Sequence, residues 1–333
     1  MFSALFGALF VALFATLFVA SRVHAAGSMR LECLQSDAAF VKCRFAHSLS
    51  YSNSDEQFLA YPPVAGKGVA MFLWDALGET HIHFDGADAA APAVTALLDA
   101  CTVPIAIHDH ARAGILGTAT LLRDGERHIL LTAAHLFERA SSSGNWLVPC
   151  RTTGQLLSLE GAHVRLIPGC DIAFIELARA RTQSRVLRGR LAIPAGFTLM
   201  GARAAQRKGR KASPHAANRT TPPATTYCLA GYPAAWSRFD RGYLAAKRLT
   251  ISTSSCSPGG GEPRCLYRRI AERCDGQAIH TPALEGMSGA AIWEINRGAG
   301  HSLLRLAGVQ SAYVHSRYLR GTAAKSCAPF FCS

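Results

Sequence analysis

Residues 129–135 read Ile129-Leu130-Leu131-Thr132-Ala133-Ala134-His135. Three bulky apolar residues suit a buried strand, and the small residues after them let the chain turn tightly and present one imidazole at a sheet edge. Working outward, short runs of β-forming residues recur at 103–107, 117–122, 128–131, 146–148, 156–159, 163–166 and 172–177, broken by Gly, Asp and Ser. Beyond a break they resume at 227–231, 244–253, 266–270, 290–295, 303–309 and 312–314. Short strands at this spacing predict an all-β chain of the barrel or sandwich kind, in two halves, not a parallel sheet.

Composition agrees with a folded chain. Of 333 residues 49% are hydrophobic and only 17% charged, which excludes disordered and coiled-coil classes. With 29 Gly and 15 Pro, collagen-like and low-complexity chains are excluded too. The net charge of +13 is concentrated: residues 179–220 hold eleven Lys or Arg and no Asp or Glu. The second part of that span, 201–226, has almost nothing apolar to bury and reads as a linker or surface loop.

The first 25 residues are read as targeting, not fold. No charge occurs from Phe2 to Ala20, Arg22 follows, and Val23-His24-Ala25 offers a small-residue cleavage site. This predicts a signal peptide cut after Ala25, with a retained N-terminal anchor as the alternative, since the apolar run is long enough to span a bilayer. Residues 26–101 form an N-terminal extension or propeptide, with β-like runs at 29–34, 40–45, 69–74 and 81–84 and a helical run at 93–100. The first β-barrel is assigned to 102–178, a basic inter-barrel linker to 179–226, and the second β-barrel with a C-terminal tail to 227–333.

Eleven cysteines without paired zinc spacing point to disulfides in an oxidising compartment, and hence to a secreted or periplasmic protein. Cys33 with Cys43 and Cys327 with Cys332 are close enough in sequence to close small loops. The odd number leaves at least one thiol free or bridged to another chain. Two His-x-His pairs, His81/His83 and His108/His110, lack an evident third ligand, so neither a metal nor another cofactor is expected. Asn218-Arg219-Thr220 is a glycosylation sequon, meaningful only in a eukaryotic secretory host.

Two further segments complete a set with His135. Asp171 heads the run Asp171-Ile172-Ala173-Phe174-Ile175-Glu176-Leu177, an acid at the start of a strand with alternating apolar residues. Ser288 lies in Glu285-Gly286-Met287-Ser288-Gly289-Ala290, where flanking glycines permit a sharp turn that exposes the hydroxyl. Acyl transfer needs these groups together: an imidazole to take the serine proton, a carboxylate to hold the imidazole, and N–H donors for the developing oxyanion. Gly286 and Ser288 are the candidate donors. Each residue alone has a plain reading: an ordinary histidine, a strand-capping acid, a turn serine.

Taken together the three segments resemble the trypsin-like (chymotrypsin-fold) serine peptidases, closer to bacterial-type members than to animal zymogens. Thr-Ala-Ala-His, Asp171-Ile172-Ala173 and Gly286-x-Ser288-Gly289 match that family's motifs in order. The resemblance runs from about residue 102 to 314, minus the basic span. It implies two six-stranded antiparallel β-barrels with the site in the cleft between them, and catalytic roles for His135, Asp171 and Ser288. It also implies a primary substrate pocket from residues 281–285 and the strand 310–313, with Pro282 at its base, Ser311 in its wall, and Tyr313 narrowing it where the family has glycine.

The chain departs from the family pattern in several places. Met287 stands where animal members carry the Asp that pairs with a newly cut N-terminus, and Ala290 and Ala291 replace the usual Gly-Pro. No cysteine flanks His135. Asp171 follows His135 by 36 residues, a short interval for the family, and Ser288 follows Asp171 by 117, a long one that the basic span explains. The expected function is an exported serine endopeptidase acting on protein or peptide substrates, without stable membrane association once the signal is cut. The competing reading is a catalytically weak or inactive domain of this type whose basic arm, 179–220, binds a polyanion.

Overall fold

A computed structural model describes residues 90–108, 113–139, 146–151, 153–177, 186, 190–195, 225–240, 243–253, 256–257, 262–274, 276–298, 301–314, 317–324 and 326. It also describes the backbone of five strands between 29 and 84. The signal segment, residues 196–224, the sequon, His110, Cys327 and Cys332 lie outside the described residues.

The chain is all-β apart from short helices, with two curled antiparallel sheets. The first sheet runs in the order Leu156–Ser158, Trp146–Pro149, Thr102–His108, Ala113–Asp124, Arg127–Thr132, Ala173–Glu176, His163–Leu166. The segment Ile193–Pro194 adds to it in parallel beside Leu122 and Arg123. The second sheet is built around His301–Val314, Ala291–Gly298, Thr225–Gly231 and Leu249–Thr253. A hairpin, Ser237–Asp240 with Tyr243–Ala246, stands beside both. It touches the first sheet through the bridge of Tyr243 to Gln155 and the stacking of Phe239 on His108, ring centroids 5.1 Å apart.

The sheets hold eight and fourteen strands, where six each were expected. Part of the excess is N-terminal. Strands Met29–Asp37, Phe40–His47, Gln57–Tyr61, Ala70–Trp74 and Thr80–Phe84 form an antiparallel meander, whose last member pairs with the start of His301–Val314. Cys33 and Cys43 stand opposite each other in its register.

The helix Ala90–Cys101 follows. Five alanines and two leucines favour it, and Pro92 falls in its first turn, where a missing N–H costs nothing. Val94, Leu97, Leu98 and Cys101 recur at helical spacing and are buried. They enter one apolar cluster with Leu131 and Phe174 of the first sheet and Trp293, Ile295 and Leu304 of the second. On another side of the helix Asp99 pairs with both Arg151 and Arg248. Thus the helix is wedged where the two sheets meet.

Arg190, inside the basic span, is also interior. Its guanidinium donates to the carbonyls of Thr102 (2.9 Å) and Pro149 (3.0 Å), and Leu191 N–H donates to Ala100 O (2.9 Å). Burial pushes its pKa down from the ordinary arginine range, a cost offset by these bonds and by the nearby Tyr232. Residues 190–195 of the basic span are thus packed against the first sheet.

A disulfide, Cys228–Cys274, ties the strand Thr225–Gly231 to the turn after Ile270–Glu272. It is a pairing that sequence spacing does not suggest. The thiol of Cys101 donates to Leu98 O at 3.7 Å, and burial pushes its pKa up to about 12, so it is inert at neutral pH. Among the described residues no helix is long and apolar enough to cross a membrane.

Candidate active site

The strand Arg127–Thr132 ends in Ala133 and Ala134, both buried, and His135 opens a one-turn helix, His135–Arg139. Asp171 lies just before the strand Ala173–Glu176, which pairs with Arg127–Thr132. That pairing sets Ala173 opposite Thr132 and so carries Asp171 to the histidine turn. Two hydrogen bonds result. The His135 N–H donates to Asp171 Oδ1 at 2.8 Å, and His135 Nδ1 lies 2.7 Å from Asp171 Oδ2. Burial pushes the Asp171 pKa up, but the bonds from the His135 ring and from the backbone of His135 and Ala134 outweigh it and hold the carboxyl below its usual range.

Ser288 comes from the second sheet's side. The loop 284–290 precedes the strand Ala291–Gly298, and its carbonyls from Glu285 to Ser288 are all bonded. Ala234 N–H donates to Glu285 O (2.7 Å), Thr118 Oγ1 to Gly286 O (2.8 Å), Ala290 N–H to Met287 O (2.9 Å) and Thr118 N–H to Ser288 O (2.8 Å). Met287 N–H is taken by Leu284 O (2.9 Å) and Gly289 N–H by Gln310 O (2.8 Å). Among the described residues the N–H groups of Gly286 and Ser288 have no partner. Gly286 and Ser288 are the residues that the sequence offers as candidate donors.

Both glycines of the loop are required by geometry. Gly286 has φ +87° and Gly289 φ +89°, in the left-handed region where a side chain is strained. A Cβ on Gly289 would also strike Thr132 Oγ1, Thr118 O and Ala133 N. The serine loop is thus seated directly on the end of the strand that carries His135. No hydrogen bond joins the His135 ring to the Ser288 hydroxyl among the described residues; what the structure brings together is the His135–Asp171 pair and the serine backbone against the histidine turn.

Met287 is fully buried in an apolar cluster with Leu229, Leu284, Ala290 and Ile292. Its Sδ would lie 2.8 Å from a Cβ on Gly231, so glycine there makes room for it. The Met287 side chain is therefore an internal anchor of the loop.

Around the expected substrate pocket, Tyr313 OH donates to Glu285 Oε1 at 2.7 Å, and Tyr267 OH donates to Pro282 O at 2.7 Å. The two tyrosine rings meet edge to face, centroids 6.4 Å apart. Burial, and next the Glu285 carboxylate that accepts its hydrogen bond, raise the Tyr313 pKa. Ser311 sits at a bulge of His301–Val314, and its hydroxyl donates to Arg320 O at 3.3 Å. The sequence reading placed Glu285 in the pocket segment 281–285 but missed Thr118 and Ala234. No local signal marks these two, because their partners are far along the chain.

No protein-family model matches the chain. No curated protein sequence matches it either. Among solved structures, the protease Anisep from Arthrobacter nicotinovorans is similar at 13% identity and a TM-score of 0.36, covering 70% of this chain and 96% of that one. A structure described for the coupled folding and binding of the Sesbania mosaic virus VPg protein is similar at 14% identity and a TM-score of 0.37, covering 69% of this chain and 89% of the other.

Proposed function

We propose that the protein is an exported serine endopeptidase with His135 as general base, Asp171 as its orienting acid and Ser288 as nucleophile. The observation that carries the reading is the two-point clamp of His135 by Asp171 beside a serine loop with two open N–H donors. Asp171 fixes Nδ1 as the protonated nitrogen and leaves Nε2 to accept the Ser288 proton. The alkoxide attacks the scissile carbonyl, and the N–H groups of Gly286 and Ser288 receive the charge that develops on its oxygen. His135 then returns the proton to the leaving amine, and water repeats the sequence on the acyl-enzyme. Export rests on the N-terminal apolar segment and the cysteine content, and the Cys228–Cys274 bridge supports it.

A fluorophosphonate probe tests the assignment. The wild type should be labelled at Ser288, and Ser288→Ala and His135→Ala should not be. Labelling that persists in Ser288→Ala, or a folded wild type that takes no label, would overturn the reading.

A further inference from the structure

Because Met287 carries no charge, the loop 284–290 must be held by something other than an ion pair to a new N-terminus. The bonding pattern of the loop identifies the holder. In a trans peptide the C=O and N–H point in opposite directions, so fixing one carbonyl aims the next residue's N–H. Four consecutive units, from Glu285 O to Ser288 O, have their carbonyls bonded. Two of the four bonds come from one residue of the other sheet. Thr118 donates its hydroxyl to Gly286 O and its N–H to Ser288 O, both at 2.8 Å. The same hydroxyl accepts from Tyr232 N–H at 3.0 Å, two residues before the Ala234 that holds Glu285 O. Thr132 Oγ1 donates in turn to Thr118 O at 2.7 Å, three residues before His135. Thr118 is fully buried, and Gly117 beside it has no Cβ to meet Ser288 O, so the loop can approach.

We infer that Thr118 is the positioning residue of the oxyanion site: its hydroxyl and N–H, reaching across from the first sheet, fix the peptide units that follow the two donor residues, Gly286 and Ser288. The inference rests on the peptidase reading. It goes beyond it in making the oxyanion site depend on a side chain that touches neither substrate nor reacting atoms. Removing the hydroxyl frees Gly286 O and Tyr232 N–H together, so the peptide unit between Gly286 and Met287, which links the units that carry the Gly286 and Ser288 N–H groups, can rotate and turn those donors away from the oxyanion. The loss should then fall on the transition state and not on substrate binding.

The test compares wild type, Thr118→Val, Thr118→Ala and Thr118→Ser on a neutral peptide p-nitroanilide and against a peptide aldehyde, which forms a tetrahedral adduct. In Thr118→Val we expect kcat to fall about 10- to 100-fold with KM within about twofold. Aldehyde affinity should fall by a similar factor, and Thr118→Ser should stay within about threefold of wild type. A folded Thr118→Val with near wild-type kcat would overturn the inference, as would a Thr118→Ser as impaired as the valine variant. If Thr118→Val does not fold, Thr118→Ala decides in its place; if neither folds, the hydroxyl serves sheet contact and the inference is overturned. A wild type that takes no phosphonate label would sink the peptidase reading alone. Amide exchange over 284–290 then decides: faster exchange in Thr118→Val but not in Thr118→Ser supports the positioning role, and equal rates overturn it.

Discussion

Asp171 accepts from both the ring and the backbone N–H of His135, so its carboxylate is favoured in the folded state and its pKa is depressed. The sign of the linkage follows. A depressed folded-state pKa contributes stability that is complete above the unfolded value of about 3.9 and is lost as pH falls through the lower folded value. Acid unfolding of the wild type should therefore steepen below about pH 4. Asp171→Asn should show a shallower acid limb, measured as urea midpoints from pH 2 to 7. The same variant should lose about four orders of magnitude in kcat, because an amide can leave the imidazole in the wrong tautomer. An Asp171→Asn variant with wild-type acid dependence would show that the pair is not formed in solution.

At the scale of elements, the loop 284–290 is anchored by packing as well as by bonds. Met287 is fully buried beside Gly231 in an apolar cluster. Met287→Asp should therefore cost more than about 3 kcal/mol in urea unfolding, as an unpaired buried charge does. Met287→Leu, which keeps volume and polarity, should cost less than about 1.5 kcal/mol. If the two variants were equally stable, the loop would not be packed around this residue. Several elements were legible in the sequence because alternation and turn residues report a half-buried strand directly: 163–166, 172–177 and 227–231 lie where the sheets have strands. Others depend on distant partners. The run 244–253 divides at Lys247 and Arg248, where Arg248 turns to Asp99 of the helix. Residues 303–314 read as two runs but form one strand, His301–Val314, with a bulge between Gln310 and Ala312. The strand Tyr318–Ala323 was not foreseen, since Arg320 and Gly321 interrupt its apolar pattern. For the candidate site, the sequence singles out His135, Asp171 and Ser288 because each sits in a local motif. Thr118 is not singled out, because its hydroxyl meets partners 114 and 168 residues away and looks locally like any β-forming threonine.

At the scale of the whole molecule, the region ahead of the first sheet is woven into both halves. Its meander extends the second sheet through Thr80–Phe84, and the helix Ala90–Cys101 contributes Leu97, Leu98 and Ala100 to a cluster shared by both sheets. Asp99 joins Arg151, near the first sheet's edge, to Arg248, at the start of a second-sheet strand. A propeptide that leaves on maturation is normally bound by surface it can vacate, whereas withdrawing this helix would expose the centre of the molecule. The helix should therefore remain in the mature protein. Leu98 is fully buried, and truncating it to Ala should cost about 2–5 kcal/mol. Leu98→Ala should thus unfold at markedly lower urea, with loss of activity following unfolding and not preceding it. Intact-mass measurement of the processed protein gives the complementary check. A mature N-terminus before residue 90 is expected, and one near Cys101 in an active, folded protein would show that the two sheets hold together without the helix.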